Sequence, residues 1–117
     1  MELLTSYHDL MILSILFQAD SYGYELSKRI KALTRDQFTI KEPTLYAALD
    51  RLRLAGLADS YDGSLTYGRK RQYFRITLAG KQRYKELCEQ WRFTREAVEA
   101  FVKPEKQPLP AKPDAMA

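Results

Sequence analysis

A helix that runs directly into a basic hairpin is the feature that most constrains the fold of this 117-residue chain. Pro43 suits the first turn of the helix, where its missing N–H is not needed, and Gly56 suits its C-terminal end. The leucines of this segment recur at helical spacing and are expected to face the core: Leu45, Leu49 and Leu52. The opposite face of the helix is therefore left for solvent or for a second molecule.

The hairpin follows, with strand candidates at Leu57–Tyr61 and Gln72–Ile76. Seven basic residues and no acidic one lie between Gly63 and Lys85, whereas the remainder of the chain has twelve basic and fifteen acidic residues. Positive charge that is concentrated in one segment is typical of a surface that binds a polyanion. The alternative is a solvated basic hairpin that only keeps the protein soluble, and the adjoining helix makes this alternative weaker.

Apolar periodicity predicts three further helices, at Thr5–Gln18, Tyr22–Leu33 and Leu78–Val102. Asp20 and Ser21 are the expected N-cap residues of the second of these, and Thr77 of the last. The order of elements predicts a mainly helical (α+β) fold, a winged helix-turn-helix with a two-stranded wing. We assign residues 1–77 to this winged-helix DNA-binding domain, 78–103 to a long C-terminal dimerisation helix, and 104–117 to a proline-rich tail that we expect to be disordered.

Such a fold predicts binding to double-stranded DNA, with the third helix in the major groove and the wing on phosphates or the adjacent minor groove. The side chains expected to point outward from the third helix are Thr44, Ala47, Ala48 and Arg51. Arg51 has two interpretations, a DNA contact, which we favour, or one half of a surface ion pair.

The wing is expected to contribute three cations, Arg69, Lys70 and Arg71, although alternation along a strand turns Lys70 away from the other two. Lys41, just before the third helix, is a further candidate for a phosphate contact. Tyr22 and Tyr24 begin the helix that crosses the DNA backbone in this motif, and we expect one of them to meet phosphate and the other to pack.

The last helix has a stripe whose members step by four and three residues, the spacing of a helix that pairs with another. The stripe and its flanks comprise Tyr84, Leu87, Cys88, Trp91, Arg95, Val98, Phe101 and Val102. An amphipathic helix that extends from so small a domain needs a partner to cover its apolar face. The first helix, which includes Leu10, also needs one, because it is apolar on most of its circumference. A partner subunit would satisfy both helices, and a symmetric dimer would place two recognition helices on a pseudo-palindromic site.

Composition argues against other classes of protein. No apolar run approaches the roughly 20 residues of a membrane span, and the N-terminus lacks the basic region of a signal peptide, so we expect a cytoplasmic protein without membrane contact. The single cysteine, Cys88, can form neither an internal disulfide nor a metal centre, and no cofactor is expected. The one histidine, His8, has no cysteine near it for a catalytic dyad, so we do not expect an enzyme.

Four motifs in order resemble the PadR family of bacterial transcriptional regulators. They are Tyr-Gly-Tyr-Glu-Leu at 22–26, Thr-Leu-Tyr at 44–46, Leu-x-x-Leu-x-x-x-Gly-Leu at 49–57 and Gly-Arg-Lys-Arg-x-Tyr-Phe-x-Ile-Thr at 68–77. The resemblance covers about residues 5–103, and the single C-terminal helix is similar to that of the smaller PadR subgroup. It implies a homodimer that represses its target genes and releases DNA when a small molecule binds.

The resemblance implies three residue-level roles as well. The hydroxyl of Tyr46 is expected to contact a phosphate, and the last helix is expected to pack across a two-fold axis onto the first and last helices of the other subunit. The two Trp91 rings are expected either to stack on a small aromatic ligand at the dyad, with Phe93 or first-helix residues nearby, or to serve as anchors of the dimer core.

Two other binding functions are alternatives to double-stranded DNA. A winged helix can bind a protein partner instead, but such domains usually lose the basic wing, which this chain keeps. RNA binding is less favoured, because stacking aromatics on an exposed sheet are not evident from the sequence.

Overall fold

The computed structural model describes residues 5–66 and 68–102. Over these residues the chain forms α1 (Thr5–Gln18), β1 (Ser21–Tyr22), α2 (Gly23–Leu33), α3 (Glu42–Leu54), β2 (Ala58–Thr66), β3 (Arg69–Ile76) and α4 (Leu78–Glu99). The mainly helical winged-helix prediction is confirmed. The proline-rich tail predicted at 104–117 lies outside the described residues.

The strands form one antiparallel sheet in the order β1–β3–β2. β2 and β3 are longer than predicted, because their ladder continues past Asp62 through a register irregularity that ends at Leu65. The two-residue strand β1 was not predicted at all. Its pairing with Phe74 and Tyr73 turns a two-stranded wing into a three-stranded sheet and ties the start of α2 to the wing.

The predicted capping of α2 by Asp20 and Ser21 is wrong. The N-cap residue is Tyr22, and its side chain makes no capping hydrogen bond. Ser21 is buried in β1 and donates a hydrogen bond of 2.6 Å to the Glu25 carboxylate, while Asp20 accepts one of 2.6 Å from the Tyr61 hydroxyl. Because Ser21 and Tyr22 are recruited into the sheet, the helix starts one residue later than its apolar pattern indicates.

The core lies where α1, α2 and α3 pack against one face of the sheet. The three leucines of α3 predicted to face inward are buried, and alternation along β3 sends Phe74 inward while Tyr73 stays half-buried on the other face. The buried side chains of α1 come from consecutive pairs, Ile12, Leu13, Ile15 and Leu16. α1 is therefore the central helix, enclosed on more than one side, as its uniformly apolar composition indicates.

α4 is joined to this core at its first turn. The Thr77 hydroxyl accepts from the Gly80 N–H at 3.0 Å and donates to the Gly56 carbonyl at 2.7 Å, so it caps α4 and fixes it to the end of α3. Leu87 is only 3% exposed and belongs to the core of its own domain. The prediction of Leu87 as a dimer-interface residue is thereby corrected, because α1 of the same chain already covers it.

Across the described helices, none is both long and apolar enough to span a lipid bilayer.

Candidate nucleic-acid interface

A cleft opens where the starts of α2 and α3 meet strand β3. Its volume is about 220 Å³, and its walls are formed by Gly23, Tyr24, Ser27, Glu42, Leu45, Tyr46 and Arg71. The first N–H groups of a helix have no partner within the helix and give its start a partial positive charge. Two helix starts and one guanidinium therefore meet in one small space, which favours an anion, although the Glu42 carboxylate limits the net charge.

Gly23 is needed in this cleft because the Tyr46 ring lies directly on it. A β-carbon at position 23 would stand 2.5 Å from the Tyr46 hydroxyl oxygen and 2.7 Å from Cζ, which is closer than van der Waals contact allows. The glycine of the Tyr-Gly-Tyr run thus lets the third helix bring its tyrosine to the first turn of α2. Tyr46 is 40% exposed, so its hydroxyl stays accessible at the cleft.

Arg71 projects into the cleft from β3 and lies over the ring of Tyr22, with its Cζ 5.0 Å from the ring centroid. Its Nε is buried and, within the described part of the chain, makes no hydrogen bond. Tyr22 is half-buried, whereas Tyr24 is 58% exposed. Of the two tyrosines, Tyr22 is therefore the one that packs, and Tyr24 is the one available to a phosphate.

The outer face of α3 is smaller than predicted. Thr44 and Ala47 are exposed, as is Lys41 just before the helix. Ala48 is only 1% exposed and lies in the core, so its predicted outward position is wrong. At 100° per residue, Ala48 lies midway between Leu52 and Thr44, each about 40° away, so it is at the edge of the buried face and is covered there.

Arg51 is held by α1. Its guanidinium forms an ion pair with the carboxylate of Asp9, whose side chain is 18% exposed against 44% for Arg51. Of its two interpretations, the ion pair is the one present in this structure. Asp9 was not singled out in the sequence, since its partner lies 42 residues away.

The remaining wing cations differ in their surroundings. Lys70 is exposed and pairs with Asp62 on the neighbouring strand at 3.1 Å, which fits its predicted position on the opposite face from Arg71. The backbone of Arg69 begins β3, but its side chain lies outside the described part of the structure.

The outer face of the sheet has a row of tyrosines that was not predicted. Tyr22, Tyr73 and Tyr61 lie side by side across the three strands, with ring centroids 5.3 Å and 5.7 Å apart. These aromatics on the sheet were not evident from the sequence, and of the three only Tyr61 is exposed. Arg71 and Arg75 lie over the outer two rings, however, so those faces are already covered. The hydrogen bond to Asp20 raises the pKa of Tyr61 above its ordinary value.

Trp91 separates two cavities on the other side of the molecule. One, of about 320 Å³, is mostly apolar and is lined by Leu10, Met11, Ser14, Ile15, Ile30, Leu33, Thr34, Tyr84, Cys88 and Trp91. The other, of about 260 Å³, is lined by Ser6, Tyr7, Leu10, Leu87, Gln90, Trp91 and Thr94. The Trp91 ring is 43% exposed and makes an edge contact with Tyr7, their centroids 5.8 Å apart.

Phe93 lines neither cavity and is 75% exposed. Two residues along a helix differ by about 200°, so Phe93 points away from the cavities beside Trp91 of its own chain. The two residues predicted to hold a ligand are thus not brought together within one chain.

Residues 12–86 match the sequence profile of the transcriptional regulator PadR-like family. The chain belongs to this family. The sequence-based resemblance is thereby confirmed, and the family is one of transcriptional regulators rather than enzymes.

Relatives agree over nearly the whole chain. A transcriptional regulator from Clostridium thermocellum has a structure with 45% identity and a TM-score of 0.77, covering 84% of this chain and 95% of the other. A PadR family transcription regulator from Clostridium difficile R20291 has 35% identity and a TM-score of 0.71, covering 83% and 99%. An uncharacterised protein of Lysinibacillus sphaericus is 37% identical over 101 residues, 86% of this chain and 93% of that protein.

Proposed function

We propose that this PadR-like regulator is a homodimeric repressor that binds a pseudo-palindromic operator in double-stranded DNA and is released by a small aromatic ligand near Trp91. The observation that supports DNA binding is the cleft between α2, α3 and β3. A backbone phosphate placed there accepts from free helix N–H groups, from the Tyr46 hydroxyl and from Arg71. Three elements then hold one phosphate, which fixes the register of α3 on the duplex.

Base reading falls to the first half of α3. Thr44 offers a hydroxyl to a base edge or phosphate, and Ala47 is small enough for close approach and contact with a thymine methyl. Lys41 and Tyr24 extend the phosphate contacts on either side, and Arg69 and Lys70 add charge from the wing. Arg51 contacts DNA only once its ion pair with Asp9 is broken.

The homodimer is supported by the last turn of α4 and the residues that directly follow it. Val98 is 53% exposed, Phe101 81% and Val102 69%, with Arg95 beside them. So much apolar surface on one helical arm is typical of an interface with another subunit. Leu10, Tyr84 and Cys88 are half-buried against the chain's own core and present only their outer edges to a partner.

A ligand is supported by the cavities on either side of Trp91. Their volumes of about 320 and 260 Å³ suit small planar molecules, and a tryptophan between them provides a face for stacking. Phe93 contributes only if it comes from the partner subunit. A bound ligand weakens DNA binding only as far as it prefers a dimer geometry with a different spacing of the two recognition helices.

Fluorescence anisotropy with DNA from just upstream of the protein's own gene tests the DNA part. We expect site-selective binding with two protomers per site and an affinity that falls steeply with salt, against a scrambled duplex of equal length. Arg71→Gln should weaken operator binding, whereas Arg92→Gln, on the exposed side of α4, should not. No binding even at low salt would overturn the proposal and favour the alternative, a winged helix that binds a protein partner.

The single tryptophan allows a separate test of the ligand. Planar aromatic compounds such as acridine or quinoline should quench Trp91 fluorescence with saturation and lower operator affinity in the same concentration range. Phe93→Leu should weaken this quenching only if the partner's Phe93 faces the ligand. Quenching without loss of DNA affinity would contradict an inducer role.

A further inference from the structure

The tyrosine row and its two arginines form one ordered array across the sheet. Tyr22 and Tyr61 each pair with Tyr73 in the strand register, so the three rings are direct cross-strand neighbours. Arg71 and Arg75 lie two residues to either side of Tyr73 and share its face. Their guanidinium carbons stand 5.0 Å and 5.3 Å from the centroids of the Tyr22 and Tyr61 rings.

The ring of Tyr73, in the middle of the row, packs on the backbone of the neighbouring strand. A β-carbon at position 63 would lie 2.8 Å from the Tyr73 ring, so this ring rests on the bare backbone of Gly63. Gly63 occurs where the ladder between β2 and β3 becomes irregular, between Asp62 and Leu65. The tyrosine covers the glycine and, with the rings on either side, limits how far the array can move.

Arg71 and Lys70 are held in different ways. Lys70 pairs with the Asp62 carboxylate, which offsets its charge. For Arg71, no ion pair is found among the described residues, its Nε lacks a hydrogen-bond partner, and its guanidinium lies over the Tyr22 ring. A planar guanidinium stacks well on an aromatic face. An aromatic ring orients the cation and leaves its full charge available to an anion.

We propose that Tyr22 is a positioning residue for DNA binding: its ring, buttressed by Tyr73, holds Arg71 with the guanidinium directed at a backbone phosphate. Tyr22 then acts through Arg71, and its own hydroxyl is not required. This inference rests on the proposed binding of DNA at the cleft. The sequence left open which of Tyr22 and Tyr24 meets phosphate, and this inference gives Tyr22 an indirect role instead.

Salt-dependent operator binding of the full chain separates these roles. Tyr22→Phe keeps the ring and should bind as the wild type does. Tyr22→Leu removes the ring and should weaken binding roughly tenfold, with the slope of log K against log salt falling by about one per protomer. Arg71→Gln should lower the operator affinity and the salt slope by the same amounts as Tyr22→Leu. The double variant should be no worse than either single variant, because both changes remove the same contact.

Thermal melting of each variant shows whether the fold survives. If Tyr22→Leu does not fold, Tyr73→Leu takes its place, with a smaller loss of affinity and a fall in slope expected. An equal loss in Tyr22→Phe would overturn the inference, because the hydroxyl would then be the contact. A loss of affinity with an unchanged salt slope would overturn it too. If Arg71→Gln weakens binding and the ring variants do not, only this inference fails; if the wild type binds no DNA, the proposed function fails.

Discussion

At the scale of single residues, the geometry of the cleft depends on a glycine, Gly23. Gly23 has no β-carbon, and only this lets the Tyr46 ring of α3 rest on the start of α2. The two helices of the helix-turn-helix are thus set at a distance that one methyl group would change.

We expect Gly23→Ala to destabilise the fold by about 1–3 kcal/mol, the usual cost of overpacking, and to lower operator affinity by displacing the Tyr46 hydroxyl. Thermal melting and anisotropy measure the two effects. In a Tyr46→Ala background the added methyl meets no ring, so the same change should cost little stability. An equal cost in both backgrounds would show that the backbone of Gly23, rather than the clash, is responsible.

Arg51 gives a second prediction at this scale, because Asp9 restrains it in the free protein. Asp9→Asn removes the carboxylate while keeping its shape. The released guanidinium should gain a phosphate contact, raising affinity for operator and scrambled duplex alike and steepening the salt slope by about one per protomer. In an Arg51→Met background the substitution should change the slope little. Unchanged binding in Asp9→Asn would show that Arg51 does not reach DNA.

Local residue patterns predicted the buried face of α3 well and its outer face less well. Leucines at helical spacing identify the core side directly. Ala48 was misplaced because alanine is compatible with either side, and Arg51 was left open because its partner Asp9 is distant in sequence. Gly23 belongs to the Tyr-Gly-Tyr-Glu-Leu motif at 22–26, but its contact with the Tyr46 ring is visible only in the folded chain.

At the scale of elements, Thr77 connects the start of α4 to the end of α3. Its hydroxyl caps α4 through the Gly80 N–H and also donates to the Gly56 carbonyl at the end of α3. A β-carbon on Gly80 would overlap the Leu57 carbonyl oxygen, so α4 begins in close contact with the connection between α3 and β2. The orientation of the arm relative to the recognition helix is therefore determined within this one turn.

Thr77→Val keeps the shape of the side chain and removes both hydrogen bonds. We expect a loss of about 1 kcal/mol, which lowers the melting temperature by roughly 4–8 °C for a domain of this size. Thr77→Ser retains the hydroxyl and should stay near the wild type when both are compared at one protein concentration. A melting temperature in Thr77→Val equal to that of Thr77→Ser would contradict the role of the cap.

Elements marked by local signals, including the hairpin, were predicted, whereas the strand that exists only through pairing was not. Thr77 and Pro43 mark helix starts by their own chemistry, and α3 and α4 begin within a residue of those marks. β1 is two residues long and exists only because β3 lies beside it. The tyrosine row depends on the same pairing, since its members are distant in sequence and are aligned by register alone.

At the scale of the whole molecule, the stripe of α4 divides into two parts. Its first half packs on the chain's own α1, with Leu87 in the core and Tyr84 against Phe17 at 5.3 Å between centroids. Its second half, beyond Trp91, is exposed, and within the described residues nothing covers it. The spacing of apolar residues is continuous along both halves, so it does not distinguish the part that packs within the chain from the part that we propose contacts a second subunit.

This division predicts that the proposed dimer can be dissociated without unfolding the winged helix. Val98→Gln in the last turn of α4, combined with Phe101→Gln just beyond its end, removes exposed apolar surface without touching the core, so sedimentation equilibrium should show monomers and the melting curve should remain cooperative. Operator affinity should fall at least about 100-fold, because two linked recognition helices bind as one unit. Leu78 is also a large apolar residue, is 85% exposed and lies at the opposite end of α4. Leu78→Gln is therefore the matched control, and this variant should remain dimeric. A double variant that stays dimeric would place the subunit interface elsewhere, with the outer face of α1 as the next surface to change.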